Sequence, residues 1–226
     1  MSGFRYQHGR LLYRRQSTGK VRGREDWALT ANRDGSRTLR SLALTDDSEF
    51  VRDAIFTLDA DHRPVEALIR LQVADRWIGS GYFRALAGRL VTVTDSEEGG
   101  HVHQSLDLPE RFHLISHAVM HDGWMVWPYD AASGGEQSVT VYNTSTRWNG
   151  TDGPLGRLES LRIERLADEE VTVPAGTFAA ERYRFASEEI EGPPGEIWVT
   201  PEDRILLRYD WSELDLEYVL ESLLED

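Results

Sequence analysis

Alternation with a period of two is the feature that most restricts this chain. Between Val65 and Val73, the residues Val65, Ala67, Ile69, Leu71 and Val73 share one side, and the polar Glu66, Arg70 and Gln72 share the other. Successive side chains of an extended strand point to opposite faces, so this spacing predicts a strand with one dry and one wet face. Comparable short segments recur, each bounded by turn residues. Arg22 to Ala31 and Ser36 to Thr45 flank Asn32-Arg33-Asp34-Gly35, a hairpin signal. Arg89 to Thr94 and His101 to Leu106 flank the acidic, glycine-ended loop 95–100. In Arg76 to Arg84, Gly79 and Gly81 suggest a bulge or sharp bend.

One segment reads differently. Pro109 to His121 places Phe112, Ile115, Val119 and Met120 at helical spacing, with Asp122-Gly123 as a stop, which predicts a helix with one buried stripe. Strand patterns resume after it and continue to the end. There Leu214, Leu216, Tyr218 and Leu220 alternate and favour a closing strand, although Leu216, Leu220, Leu223 and Leu224 would also suit a helix. No Pro- or Ser-rich linker interrupts the 226 residues, so residues 1–226 read as a single domain. The fold class is all-β: a single curved antiparallel sheet of about ten to twelve strands, forming an open or closed barrel, with one inserted helix near residues 109–122. Such a sheet leaves a concave apolar face, a natural pocket for a small molecule.

The 25 basic and 39 acidic residues give a formal charge of −14, which argues against nucleic acid and anionic membranes as partners. Residues 1–24 hold seven basic residues and no acid, and Ser212 to Asp226 hold six acids and no base. The basic start could serve an anionic ligand, or the two termini could lie side by side and pair. The chain has no cysteine, which excludes disulfides, thiolate catalysis and thiolate metal sites. No apolar run approaches the ~20 residues of a membrane helix, and the first residues lack a signal-peptide core, so a cytoplasmic location is expected. A homodimer is the one assembly left open.

The run Glu170-Val-Thr-Val-Pro174-Ala-Gly176-Thr-Phe178 through Arg182 and Phe185 resembles the signature of the bacterial domain of unknown function family 3108. Glu196-Ile-Trp198-Val-Thr-Pro201-Glu-Asp-Arg204 through Arg208 is similar to that family's next element, and Leu114 to Pro128 to its helical insertion. The resemblance covers mainly residues 100–226. It implies a half-barrel similar to the bacterial lipoprotein carriers, which hold a lipid chain in a concave face. It implies no catalytic motif, and many members carry export signals that this chain lacks.

Five of the seven histidines lie at 101, 103, 113, 117 and 121. His101 and His103 would face one side of a strand, and His113, His117 and His121 would share one stripe of a helix. If strand and helix face each other, the imidazoles converge. A histidine in an apolar pocket can move a proton near neutral pH. His103 and His117 are therefore the candidate catalytic pair, with Tyr82 and Arg208 to stabilise developing charge. His101, His113, His121, Trp124, Trp127 and Tyr129 are candidate ligand contacts. His-x-His could also hold a metal with Asp107 or Glu110, a weaker reading. The Glu188-Glu189 pair and its neighbours in loops read as solvated turns. No nucleotide-binding loop or serine-hydrolase elbow occurs, so no cofactor is expected. The expected function is binding of a small hydrophobic or aromatic molecule in the concave face. The alternative is a cofactor-independent lyase, hydratase or isomerase in the same pocket.

Overall fold

The computed structural model describes residues 4–46, 49–147, 149–187 and 194–225. Trp148, at the expected end of a strand, and the Glu188-Glu189 pair lie outside them. Fifteen strands follow one another: β1 (Phe4–Arg15), β2 (Val21–Asn32), β3 (Arg37–Thr45), β4 (Phe50–Leu58), β5 (Pro64–Val73), β6 (Arg76–Leu86), β7 (Arg89–Ser96), β8 (Gly100–Asp107), β9 (Phe112–Ile115), β10 (Glu136–Asn143), β11 (Arg157–Val173), β12 (Gly176–Ser187), β13 (Gly195–Val199), β14 (Leu206–Trp211) and β15 (Leu216–Glu225). Between β9 and β10 lie a single helical turn, α1 (Val119–Asp122), and a 3-10 turn (Gly123–Val126). Among the described residues, no helix is long and apolar enough to cross a membrane.

All strands belong to one sheet in the order β8-β7-β6-β5-β4-β3-β2-β1-β15-β14-β13-β12-β11-β10-β9. The terminal strands β1 and β15 therefore pair at its centre, Arg14 lies 2.7 Å from Glu217, and the opposite charges of the two chain ends meet. One arm runs outward from β1 to β8 and the other from β15 to β9. The two edges do not pair with each other. The second arm instead tucks inside the first: His113 on β9 meets Phe56 on β4 with ring centroids 5.2 Å apart, and the Tyr142 hydroxyl on β10 donates to Gln104 on β8 at 2.8 Å. The sheet is a roll with overlapping edges, which hides most edge groups without closing a barrel.

The alternation fixes which side faces inward. On β5, Ala67, Ile69 and Leu71 are buried and Leu68 and Arg70 are exposed, as the sequence pattern predicts. Gly79 and Gly81 have a more specific cause than a bend. A Cβ on Gly79 would sit 2.4 Å from the carbonyl of Gly153, and one on Gly81 would sit 3.0 Å from Pro154, because the loop joining β10 to β11 lies directly on β6.

The structure corrects three expectations. The predicted helix over 109–121 is confined to the turn 119–122, because residues 112–115 form a strand and His117 has a left-handed backbone, φ 58°, that no helix tolerates. That strand, β9, runs parallel to β10, so the sheet is mixed rather than wholly antiparallel. The strand count exceeds ten to twelve because both arms roll over each other. The C-terminal segment is a strand, with Leu216, Tyr218 and Leu220 all buried.

Candidate functional site

Two inward positions in the first arm carry full charges. Glu25 on β2 is in phase with Trp27 and Leu29, and Arg52 on β4 is in phase with Phe50, Ala54 and Phe56. Glu25 is 0% and Arg52 is 3% exposed, so each needs compensation within the protein. Glu25 accepts hydrogen bonds from the Tyr13 hydroxyl at 2.5 Å and from the backbone N–H groups of Val119 at 2.8 Å and Met120 at 3.1 Å. It thereby ties α1 to the sheet. Arg52 donates through its two terminal nitrogens to the carbonyls of His117 and Gly150, and its guanidinium lies 4.4 Å over the Phe50 ring. Its buried Nε–H has no acceptor among the described residues. Gly150 is required here: its φ is +67°, and a Cβ would lie 2.5 Å from Arg52 and 2.7 Å from His117.

Of these residues, Arg52, Tyr13, Phe50, His117 and Val119 border a cavity of about 310 Å³. Its aromatic wall is Tyr13, Phe50, Tyr209, Trp211 and Tyr218. Its polar lining comprises Arg15, Arg22, Arg52, His117, Asp122 and the loop residues Asn149 and Thr151. The rings are mutually fixed: Tyr209 stacks on Trp211 at 5.4 Å, and Tyr13 meets Tyr218 edge-on at 4.7 Å.

Electrostatics set the protonation states. Burial pushes the Asp122 carboxyl well above its ordinary range, the charge of Glu25 adds to this, and Arg52 only partly opposes it. Asp122 is thus biased toward its neutral form on the cavity wall. Burial also pushes His117 down to about 3, helped by the positive charge of Arg52, so its imidazole is neutral. His117 Nε2–H donates to Asn143 Oδ1 at 2.6 Å, and Asn143 in turn donates to Glu159 at 3.1 Å. This chain fixes the tautomer and leaves Nδ1 as the acceptor. Burial raises Glu25 despite its three donors, and raises Tyr218 to about 12.

Of the candidate catalytic and ligand-contact residues named from the sequence, only His117 lines this cavity, together with Arg15 and Arg22 of the basic start. His101 and His103 do share one face of β8, but both are exposed on the edge strand, and His101 pairs with Asp95 at 2.9 Å. They do not converge with the other histidines, because the strand and the segment after it turn different sides to the interior. His113 and His121 are buried in the core, at 0% and 1% exposure, and burial pushes both down to about 3. His121 bonds Ser116 at 2.8 Å. Tyr82 is on the outer face and donates to Glu66 at 3.2 Å. Arg208, also outward, lies 5.1 Å over Trp198 and pairs with Asp210 and Glu217. Trp124 is a core residue whose indole N–H donates to the carbonyl of Asp203 at 3.0 Å. Trp127 stacks on His62 at 3.5 Å, and Tyr129 packs edge-on to Tyr183 at 5.6 Å. The aromatic segment 124–129 therefore packs the connection between β9 and β10 against the sheet instead of lining the pocket. Among the described residues, no three histidine, aspartate or glutamate side chains are grouped to hold a metal ion, and His101 and His103 gain no third ligand. Sequence reasoning missed Glu25, Arg52 and Asp122. The available signal was a charge at an inward position of a strand, in phase with large apolar neighbours.

No family model matches the sequence, and no curated protein matches it. Solved structures do. The chain is similar to a β-barrel-like protein of the domain of unknown function family 1849 from Brucella abortus, with 13% identity and a TM-score of 0.55 over 98% of this chain and 96% of that one. It is also similar to a protein of the domain of unknown function family 1089 from Pseudomonas aeruginosa, with 13% identity and a TM-score of 0.51 over 83% and 88%. At these identities the likeness establishes the fold, a β-barrel-like architecture found in proteins of unknown function, and the specific resemblance to family 3108 is not shown.

Proposed function

We propose that the protein binds a small hydrophobic or aromatic organic molecule in the aromatic-walled cavity beside Arg52 and Asp122. The observation that carries this reading is the coincidence of hollow and charge. A volume of about 310 Å³ sits at the lower end of the ~300–1,000 Å³ usual for ligand pockets, and it is bordered by five aromatic rings and several orienting polar groups. A roll stabilised only by its core would gain from filling that space, since each unfilled volume and each buried charge lowers stability. Native mass spectrometry of the gently purified protein tests it: the expected result is an adduct of one small molecule, lost when Tyr218 is replaced by Trp to fill the cavity. A bare mass, together with no shift in melting temperature across an aromatic compound library, would refute it.

One observation favours a second reading, a cofactor-independent lyase, hydratase or isomerase. The Asp122 carboxyl, biased toward its protonated form, and the neutral imidazole of His117 border the same cavity, so a carboxyl and a proton acceptor face one bound molecule. Incubation of the co-purified molecule in heavy water distinguishes the two. Catalysis of proton transfer incorporates deuterium at carbon with the wild type and not with Asp122→Asn, whereas simple binding incorporates none.

A further inference from the structure

The two edges of the roll are unequally protected. β9 spans four residues, and Phe112, His113 and Leu114 within it are buried, so the overlap hides that edge. β8 spans eight residues and, among the described residues, pairs with β7 alone. An open edge is a template for another strand, and proteins commonly blunt it with a proline, a lysine or a bulge. β8 has none of these, and its register with β7 runs without a shift from Gly100 to Asp107.

The hairpins fix which backbone groups this edge offers. Ala87 and Gly88 both have positive φ, 51° and 77°, as a type I′ turn requires. Leu86 and Arg89 therefore bond each other, and Leu90 is the first residue of β7 to turn its backbone groups to β8, where it faces Leu106. The Leu108 N–H, in phase with Leu106, donates to the carbonyl of Gly88 at 2.8 Å, which agrees. Val102, Gln104 and Leu106 thus bond β7. His101, His103, Ser105 and Asp107 turn their N–H and C=O groups to the open side, and their side chains are exposed.

We propose that β8 is a dimerisation edge, which pairs antiparallel with β8 of a second copy about a two-fold axis at Gln104. In that register His103 faces Ser105, Val102 faces Leu106 and His101 faces Asp107, each pair occurring twice. Imidazole meets hydroxyl, apolar meets apolar, and imidazole meets carboxylate. A shift of two residues loses this match. It sets either His103 against His103 with Val102 against Gln104, or Ser105 against Ser105 with Leu106 against Gln104. Contacts already present extend the pairing. Asp95 lies 2.9 Å from His101 and Arg89 lies 3.6 Å from Asp107, so Asp95, His101, Asp107 of the second copy and its Arg89 form a row of alternating acceptor and donor. Arg89 also donates to the Ser105 carbonyl at 3.2 Å, and that oxygen keeps a second lone pair for the incoming strand.

The test is sedimentation of the full chain from about 1 to 500 µM, where the proposal expects a monomer–dimer equilibrium with a Kd of about 1–100 µM, as suits a small interface. Proline at 103 removes one outward N–H from each copy and no bond to β7, so His103→Pro should weaken the dimer at least about tenfold. A wild type that stays monomeric throughout, or a variant that dimerises as strongly, overturns the proposal. The chain has no cysteine, so an introduced one reads the register. Gln104→Cys, which faces itself across the axis, should oxidise to a linked dimer, and His103→Cys should not. The reverse result overturns the assigned pairing. Should the proline variant unfold, as melting curves would show, the wild-type equilibrium and the two cysteine variants decide.

Discussion

The rolled interior has two ends, and β4 passes through both. At one end its inward residue Phe56 is fully buried against the rings of His113, His121 and Trp124. At the other, four residues before Phe56, Arg52 points into a space of about 310 Å³. The neighbouring strands repeat the division: Leu11 against Tyr13 on β1, Leu207 against Tyr209 on β14, Leu220 against Tyr218 on β15. One sheet thus supplies a core and a pocket with the same alternation, differing only in which residues occupy the inward positions. Apolar side chains at the filled end interlock and need nothing else. At the hollow end tyrosine rings, Arg52 and Asp122 border open space, and those groups are what a ligand would meet.

Three measurements sharpen or break this division. The largest effect is expected at the filled end, where Phe56→Ala should cost about 3–5 kcal/mol in denaturant unfolding while leaving affinity for the co-purified small molecule within twofold. A comparable loss of affinity would mean that the two ends are not independent. Next is the response to pH, where the buried histidines and the buried carboxyls titrate in opposite senses. His113, His117 and His121 have folded values of about 3 against an ordinary 6.5, so they favour the fold fully above pH 6.5, and that contribution is lost as pH falls from 6.5 toward 3. Asp122 and Glu25 are raised in the fold, so their contribution is present below their ordinary carboxyl range and is lost as pH rises through their folded values. Thermal melts should show His113→Phe flattening only the acid limb and Asp122→Asn raising stability only on the alkaline side. The smallest effect is expected for His101→Ala and His103→Ala, both exposed, at no more than about 0.5 kcal/mol and with binding unchanged.

Much of the architecture is legible in the chain because it is written in local patterns. The β5 alternation, the Asn32–Gly35 hairpin and the Pro174-Ala-Gly176 reversal each depend on residues adjacent in sequence. The segment 109–122 is misleading because β9 is covered on both sides, with Phe112, His113 and Leu114 all buried, so no period of two survives to mark it. The spacing of Phe112, Ile115, Val119 and Met120 then imitates a helix across a strand, a left-handed His117 and one true turn. The site was half legible. A concave pocket follows from a curled sheet, and His117 borders it. The other histidines and the aromatic segment 124–129 went elsewhere because spacing fixes a local face and not which side of a fifteen-stranded roll that face meets. Glu25 and Arg52 were visible as charges in apolar phase, but their pairing with α1 and with Gly150 spans about a hundred residues of sequence and is settled only by the roll.

The most direct test of the hollow end as a binding site is a crystal structure of the protein with a small aromatic compound that raises its melting temperature. The account predicts the aromatic ring between Tyr209 and Tyr218, beside Arg52. Ring density on the outer face beside Leu68 and Tyr82, with the space near Asp122 collapsed by its own side chains, would contradict it.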